Sequence, residues 1–571
     1  MYGWGLWWWE DFAAVSALRR KIITAFVVVC GFLASGFLIG ELANSKIGLT
    51  DENDLPQYVG TRGQISFADI PRLLVEKTDL GQFGQSQRFR PFYYVARLTE
   101  TALWGLNGSY WYRWRIVMFG MVIAAMFWLC TQCVGVVLGA IITAYTLSLP
   151  MWVDIWTRST GPSEQYASLG TAIFALGAWF FLERWRSQTT LVAPSIAMAI
   201  GAIIAMGAKE NMLLLEVPLF AALSAGLWRR RIGWGSVTVL AVALAFGVWI
   251  AASIIDYFLG AKVEDIYGHT LRASLIGAKG MVFVYAATAV TTISILATIA
   301  LLRRAGDKGR LDRYMKLTRK YLGYAAVILV IFVFNDVFYT GQIPSGIRYD
   351  FPALLALPAL TILLLHSLGA VANLFDARRA VTGTVGALMS AAMLVFVAGS
   401  LPALPAAAAA NVARNSVFDD GLREAQRLTH EHPDWPIYIK SFNYFDFEPV
   451  QALGFFFMSK GITNPRYLVF VANAHGEPRT PFQTGLEQTL ISESVNGSPD
   501  RGYSPLSDAN SRIGGGGDCF VLILRSAEQF AADKAGGKNP AIANDCAAIP
   551  TFLYWEGSTL NFKSQSSTAV R

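Results

Sequence analysis

The chain has 571 residues, of which 54% are hydrophobic and only 15% charged. A soluble domain carries about 25% charge, so with a mean hydropathy of +0.41 the disordered, collagenous, disulfide-scaffold and soluble-enzyme classes are excluded and a polytopic membrane protein remains. Forty-seven Lys and Arg against 40 Asp and Glu leave a net charge of +7. These cations stand at the ends of apolar runs, as the positive-inside rule requires, and form no basic stripe interleaved with aromatics, so nucleic acid is not expected as a partner.

In chain order, the first apolar run is residues 22–42, behind Arg19, Arg20 and Lys21. Its length matches the roughly 20 residues of a full span, which predicts a retained helix with a cytoplasmic N-terminus rather than a signal peptide. The aromatic leader, Trp4 and Trp7 to Trp9, is expected in the membrane interface. Further spans are predicted at 115–131, 133–150, 166–183, 191–208, 212–228, 233–258, 280–302, 322–340, 351–369 and 381–401. That makes about eleven transmembrane helices, with Cys130 to Cys133 as the turn between the second and third. Arg184 and Arg186, Arg229 to Arg231, the run from Arg303 to Lys320, and Arg378 and Arg379 then fall on the cytoplasmic side. The C-terminus emerges outward. The Cys130–Cys133 pair, in apolar surroundings with no histidine nearby, reads as structural rather than redox or metal-binding.

After Pro402 the composition turns polar. An Ala-rich linker, Ala406 to Ala410, leads into alternating helical and strand-like runs: helices Asn415–His430 and Pro449–Ser459, strands Pro436–Ile439, Tyr467–Ala472, Cys519–Leu524 and Phe552–Trp555. The expected organisation is therefore a transmembrane unit over 1–402 and an extracytoplasmic α/β domain over 403–571. The Gly514–Gly517 run has no following Lys-Ser/Thr and is not a phosphate loop. Cys519 and Cys546 both fall in the outward domain, where an oxidising periplasm favours a disulfide between them.

Charged residues near the membrane on the outer side are the informative positions. The first outer loop, 43–114, opens with Thr50-Asp51-Glu52-Asn53-Asp54. Three acids in four residues read either as the cap and first turn of a helix or as a carboxylate held above a membrane cavity, able to act as general base on a hydroxyl. Arg88 and Arg90 precede Pro91. They are either snorkelling cations or phosphate-binding forks. Val95, Leu98, Ala102, Leu106 and Tyr110 recur at helical spacing and predict an amphipathic helix lying along the interface. The second outer loop places Asp154, Arg158 and Glu164 between two spans; Thr160, Ser163 and Glu164 also suit a helix cap. Lys209-Glu210-Asn211 interrupts two apolar spans, either as a structural ion pair or lining water. Arg348-Tyr349-Asp350 closes the set: Arg348 either binds phosphate or pairs with Asp350. His269 reads as a surface residue, and no spacing suggests a zinc site.

At these residues the chain resembles the GT-C superfamily of polyprenyl-phosphate-sugar glycosyltransferases, in the branch of protein O-mannosyltransferases and bacterial lipopolysaccharide-modifying transferases. The resemblance lies in the order and sidedness of Asp51-Glu52, Arg90-Pro91-Phe92-Tyr93, Leu103-Trp104-Gly105-Leu106-Asn107, Gly161-Pro162-Ser163-Glu164, Lys209-Glu210-Asn211 and Arg348-Tyr349, over about the first 400 residues. Arg90 departs from the family's usual His or second Pro before Pro91. The resemblance implies a multi-pass bacterial inner-membrane enzyme carrying out inverting transfer to a hydroxyl of an extracytoplasmic glycan, lipid or protein. Asp51 would be the base, with Glu52 and Asp54 as alternates. Arg88, Arg90, Lys209 and Arg348 would hold the donor phosphate. Asp154, Arg158, Glu164, Glu210 and Tyr349 would contact sugar or acceptor. No cofactor is fixed by the resemblance, though some relatives use a divalent cation (Mg or Mn) at such acids. The competing classes are a polymerase or ligase of polyprenyl-linked glycans, which usually has its large outer loop late in the chain, and a transporter or flippase, which usually shows internal repeats.

Overall fold

In the computed structural model the described residues are 17–49, 52, 54–85, 88–260, 282–312, 314–316, 318–319, 348, 351, 355, 358, 360–362, 364–365, 379–441, 447–470, 504–505, 519–525, 551–556 and 559–564. The chain is mostly helical. Its first helix, α1 (Ala17–Ile39), ends in a 3₁₀ turn and is followed in the first loop by α2 (Asp54–Val59), α3 (Ile70–Lys77) and α4 (Pro91–Trp104). Then come α5 (Gly108–Val134), α6 (Val136–Leu147), α7 (Met151–Trp156), α8 (Glu164–Ser187), α9 (Val192–Ala208), α10 (Glu216–Trp228, led in by a 3₁₀ turn from Glu210), α11 (Trp234–Gly260), α12 (Val282–Arg304), α13 (Arg379–Ser400) and α14 (Ala403–Glu431). Six helices among the described residues are long and apolar enough to cross a membrane, while α6 and α9 are apolar but shorter. The predicted spans 322–340 and 351–369 lie wholly or largely outside the described residues.

Two boundaries differ from those expected. The break after α5 is at Gly135, not at Cys130–Cys133. Gly135 has φ 83°, a backbone conformation open to glycine and costly for the cysteines. Cys130 and Cys133 remain inside the helix. The Ala406–Ala410 stretch is no linker either. Alanine has the lowest cost of any residue in a helix, and the run lies inside α14 with Ala408 fully buried.

Helices α8 and α9 touch backbone to backbone. A Cβ added at Gly170 would lie 2.5 Å from the Ala205 nitrogen, and one at Gly201 2.3 Å from the Phe174 nitrogen. Small residues at such crossings are how helices associate in lipid, where burial of apolar surface drives nothing. This contact sets the ends of the two helices, and hence Glu164 and the residues after Ala208, side by side.

Beyond α14 the chain forms β1 (Ile437–Ser441), α15 (Phe447–Ser459), β2 (Arg466–Phe470), β3 (Ser504–Pro505), β4 (Phe520–Arg525), β5 (Thr551–Glu556) and β6 (Thr559–Ser564). The sheet order is β3-β2-β1-β4-β5-β6, parallel except for the β5–β6 pair. Ile437 is registered with Arg466 on one side and Phe520 on the other, so β1 is central. Its apolar face shares a core with the first loop: Ile47, Leu49, Leu55 and Trp111 pack with Phe418, Leu422, Leu453, Phe457 and Phe520. Cys519 is disulfide-bonded; Cys546 lies outside the described residues.

Candidate active site

A charge buried near a bilayer persists only when paired or wet, so the buried charged residues locate the site. Two connected networks occupy the end of the helix bundle beneath the first loop.

The first is a clamp centred on Thr160. Glu52 is fully buried. Its carboxylate accepts hydrogen bonds from the backbone N–H of Gly48, the N–H of Thr160 (2.6 Å) and the Tyr112 hydroxyl (3.1 Å). Burial pushes this carboxyl above its ordinary range, against the pull of the Thr160 and Gly48 amides and of Arg97. Arg97, also fully buried, holds Asp54 with both arms of its guanidinium (2.9 Å each) and donates to the Thr160 carbonyl and hydroxyl (3.1 Å each). It lies over the Trp111 ring, 4.6 Å from the centroid. Arg115 forks onto Glu100 and reaches the Thr160 carbonyl (3.3 Å) and the Tyr166 hydroxyl (2.7 Å). Asn411 and Asn415 of α14 donate to the Tyr112 oxygen (3.1 and 3.2 Å), tying the C-terminal unit to the same clamp.

Helix α4 therefore differs from the expected interfacial helix. Arg97 and Glu100 face inward and are buried, while Val95 and Leu103 are exposed. The polar side is satisfied by the clamp, and on the apolar side Leu98 packs with Tyr58, Ile65 and Leu73 of the first loop. Gly105 (φ 53°) then breaks the chain before α5, so 95–111 is not one helix.

The second network holds most of the cations expected at the phosphate. Arg90 forks onto Glu210 (2.7 and 3.0 Å). Lys209 bonds to Glu164, and both are buried. Lys209 and Glu210 thus pair across elements rather than with each other. Ser163 makes no side-chain cap at the start of α8, where Glu164 is turned to Lys209 instead. Arg348 donates its backbone N–H to Asp154 (3.1 Å), and the Arg158 guanidinium reaches the other oxygen of Asp154 (3.3 Å). Arg90, Lys209 and Arg348 all act on Glu164 through their charge, and Arg88 on Asp79 and Glu210. The Tyr93 hydroxyl donates to the Gly161 carbonyl (2.9 Å), joining this network to the loop that carries Thr160. Asp51, Tyr349 and Asp350 lie outside the described residues, as does His269.

Asp79, which the sequence patterning does not single out, is half-buried here with the Tyr94 hydroxyl on its Oδ2 (3.1 Å). Burial raises its carboxyl above the ordinary value of 3.8; Arg90 and the Tyr94 bond oppose the rise and Glu210 adds to it. A raised folded-state value means that Asp79 stabilises the fold below 3.8 and that this contribution is lost as pH rises through the folded value. Asp79→Asn is accordingly expected to melt higher than wild type at neutral pH, with the gap closing as pH falls to 3.8. Thermal unfolding across that range checks it, and a gap that widens toward acid would reverse the assignment.

A divalent ion would need carboxylates free to ligate. Glu164 is taken by Lys209, and Asp154 by Arg158 and the Arg348 amide. Among the described residues no three His, Cys, Asp or Glu side chains converge. No step below is routed through such an ion.

Seven chains of solved structures match, and two of them are of ArnT from Cupriavidus metallidurans. The form bound to undecaprenyl phosphate has a TM-score of 0.44 at 13% identity, covering 97% of this chain and 100% of that one. The apo form has a TM-score of 0.45 at 12% identity, covering 98% and 100%. No protein-family model matches the chain, and no curated protein does. At that depth of superposition the side chains described above, not the neighbours, carry the functional reading.

Proposed function

We propose that the protein is an inverting glycosyltransferase that moves a sugar from a polyprenyl-phosphate-sugar donor to a hydroxyl of an extracytoplasmic glycan, lipid or protein. The observation that supports it is the array of Arg90, Lys209 and Arg348 around buried Glu164 and Glu210, at the end of the bundle that meets the first loop. Such an array is costly in lipid unless a charged ligand uses it. The resting ion pairs hold the cations in place, and a donor phosphate exchanges for a carboxylate as their partner.

In this reading Asp51 takes the proton of the acceptor hydroxyl as its oxygen attacks the anomeric carbon. The bond from that carbon to the phosphate oxygen breaks, its electron pair leaves with the polyprenyl phosphate, and the cations meet the charge that develops there. The clamp on Thr160 keeps the first loop closed over the cations. The membrane is the bacterial inner membrane, with the N-terminus cytoplasmic and the α/β unit periplasmic. That unit packs against the first loop beside the site, where an acceptor would arrive.

The test is transfer by the purified full chain in nanodiscs, offered a panel of polyprenyl-phosphate sugars and, separately, nucleotide sugars. Turnover of a polyprenyl donor, with weakened donor binding in Arg348→Ala, is the expected result. Turnover of nucleotide sugars alone would overturn the donor class, and unchanged donor affinity in Arg348→Ala would remove that residue from the phosphate.

A further inference from the structure

Left-handed backbone at a non-glycine residue occurs at two described positions, Gln188 (φ 59°) and Arg230 (φ 50°). Both close a helix where glycine is the residue of choice. After α8, the N–H groups of Gln188 and Thr189 both return to the Arg184 carbonyl. After α10, Arg230 donates to Leu227 and Arg231 to Gly226 (3.0 and 2.9 Å), the paired bonds of a glycine-type helix stop, with an arginine in the glycine position. A β-carbon at such an angle costs free energy that glycine would not. Strain of this kind persists where the side chain has a use.

The two turns form one surface. The Arg231 guanidinium donates to the Trp185 carbonyl (3.0 Å) and lies 5.8 Å from the Trp185 ring centre. Arg184 donates to the Thr190 carbonyl (3.2 Å). Arg184, Arg186, Arg229, Arg230 and Arg231 thus gather on two adjoining turns, with Glu183 the acid among them. Trp228 and Trp234 flank the arginines and are 87% and 85% exposed. Lys209 and Glu164 join the opposite ends of these helices. At about 1.5 Å per residue, the 24 residues of α8 separate the turns from the candidate active site by about 36 Å, a full membrane.

We propose that the turns at 187–190 and 229–233 form a binding site for the headgroup of an anionic phospholipid, in the leaflet opposite the candidate active site. The arginine forks match phosphate oxygens, and the tryptophans suit the boundary between headgroup and acyl chain. Arginines gathered at adjoining helix ends suit a lipid bearing two phosphates. The surrounding exposed apolar rings commit the site to a lipid rather than to free phosphate. The inference does not depend on the transferase reading.

The experiment uses the delipidated full chain in neutral detergent. Its melting temperature is followed while cardiolipin, phosphatidylcholine or inorganic phosphate is added, and bound lipid is counted by native mass spectrometry. Cardiolipin alone is expected to raise the melting temperature. The variant R229Q/R230G keeps the Arg231 contact and relieves the strained turn, so without lipid it should melt at or above wild type. Its apparent cardiolipin affinity should fall at least tenfold. R230G alone should show the same pair of effects in smaller measure, which a purely structural arginine would not. Equal stabilisation by phosphatidylcholine or by inorganic phosphate, or undiminished cardiolipin binding by the double variant, would overturn the proposal.

Discussion

Lys209→Met is expected to melt well below wild type and to lose sugar transfer. The substitution leaves Glu164 buried with its direct partner gone, and breaking a buried pair from one side costs about 3–5 kcal/mol because the surviving charge is uncompensated. Arg348 and Arg90 also act on Glu164, which places the loss toward the lower end of that range. Removing both charges should behave differently. In Lys209→Met/Glu164→Gln no uncompensated charge remains, so most of the stability is expected to return while transfer stays lost, since nothing replaces the cation proposed to meet the donor phosphate. Thermal unfolding of the single and double variants, with a transfer assay on each, separates the two roles through their non-additivity. A double variant with wild-type transfer would take Lys209 out of phosphate binding. A single variant that melts like wild type would show that the pair does not hold the ends of α8 and α9 together.

Much of this site is readable from residue order, because a charge in an apolar run is costly enough to be informative by itself. Glu164, Lys209, Glu210 and Arg90 stand out in the sequence for that reason, and the structure brings all four into one network. What spacing does not show is the partner. Lys209 and Glu210 are adjacent in sequence and so suggest a local pair, yet each reaches a residue on a different element. Backbone contact between α8 and α9 decides that pairing, and it depends on Gly170 and Gly201, which a hydropathy pattern does not distinguish from other small residues. Helix α4 shows the other failure. The apolar positions Val95, Leu98 and Ala102 describe a stripe that reads as lying on the membrane, yet Leu98 is fully buried against Tyr58, Ile65 and Leu73 of the first loop. The signal was Arg97 and Glu100 on the same helix as an apolar face, followed by Arg115 at the head of an apolar span. Three charges so placed require partners, and here they find them in Asp54, Thr160 and one another. In the C-terminal unit, strands β1, β2, β4 and β5 and helix α15 are legible as short apolar runs, whereas the alanine stretch read as a linker is helix, because composition alone does not separate flexible alanines from helical ones.

Glu52→Ala and Asp51→Asn, one residue apart, are expected to fail in different ways. Truncating Glu52 removes the acceptor of three donors at once: the Gly48 and Thr160 amides and the Tyr112 hydroxyl. A buried donor left without a partner costs about 1–3 kcal/mol, so the combined loss is several kcal/mol. The damage spreads because Tyr112 also accepts from Asn411 and Asn415, and Thr160 also accepts from Arg97 and Arg115. The first loop, the second loop and α14 should loosen together, seen as a lower melting temperature and faster proteolysis of 43–90. Transfer would fall as a consequence of that opening. Asp51→Asn, in the proposed reading, removes the general base and keeps Glu52, the acceptor of the three clamp bonds. It is expected to melt like wild type and to lose transfer by about 10²-fold or more, the usual contribution of a positioned general base. The stability measurement therefore decides between two of the three carboxylates that the sequence offers for one role. An Asp51→Asn enzyme with full activity, beside a Glu52→Ala enzyme that is stable and inactive, would move the base to Glu52. That outcome would also require the loop to open during turnover, since the Glu52 carboxylate is closed to an acceptor in the conformation described.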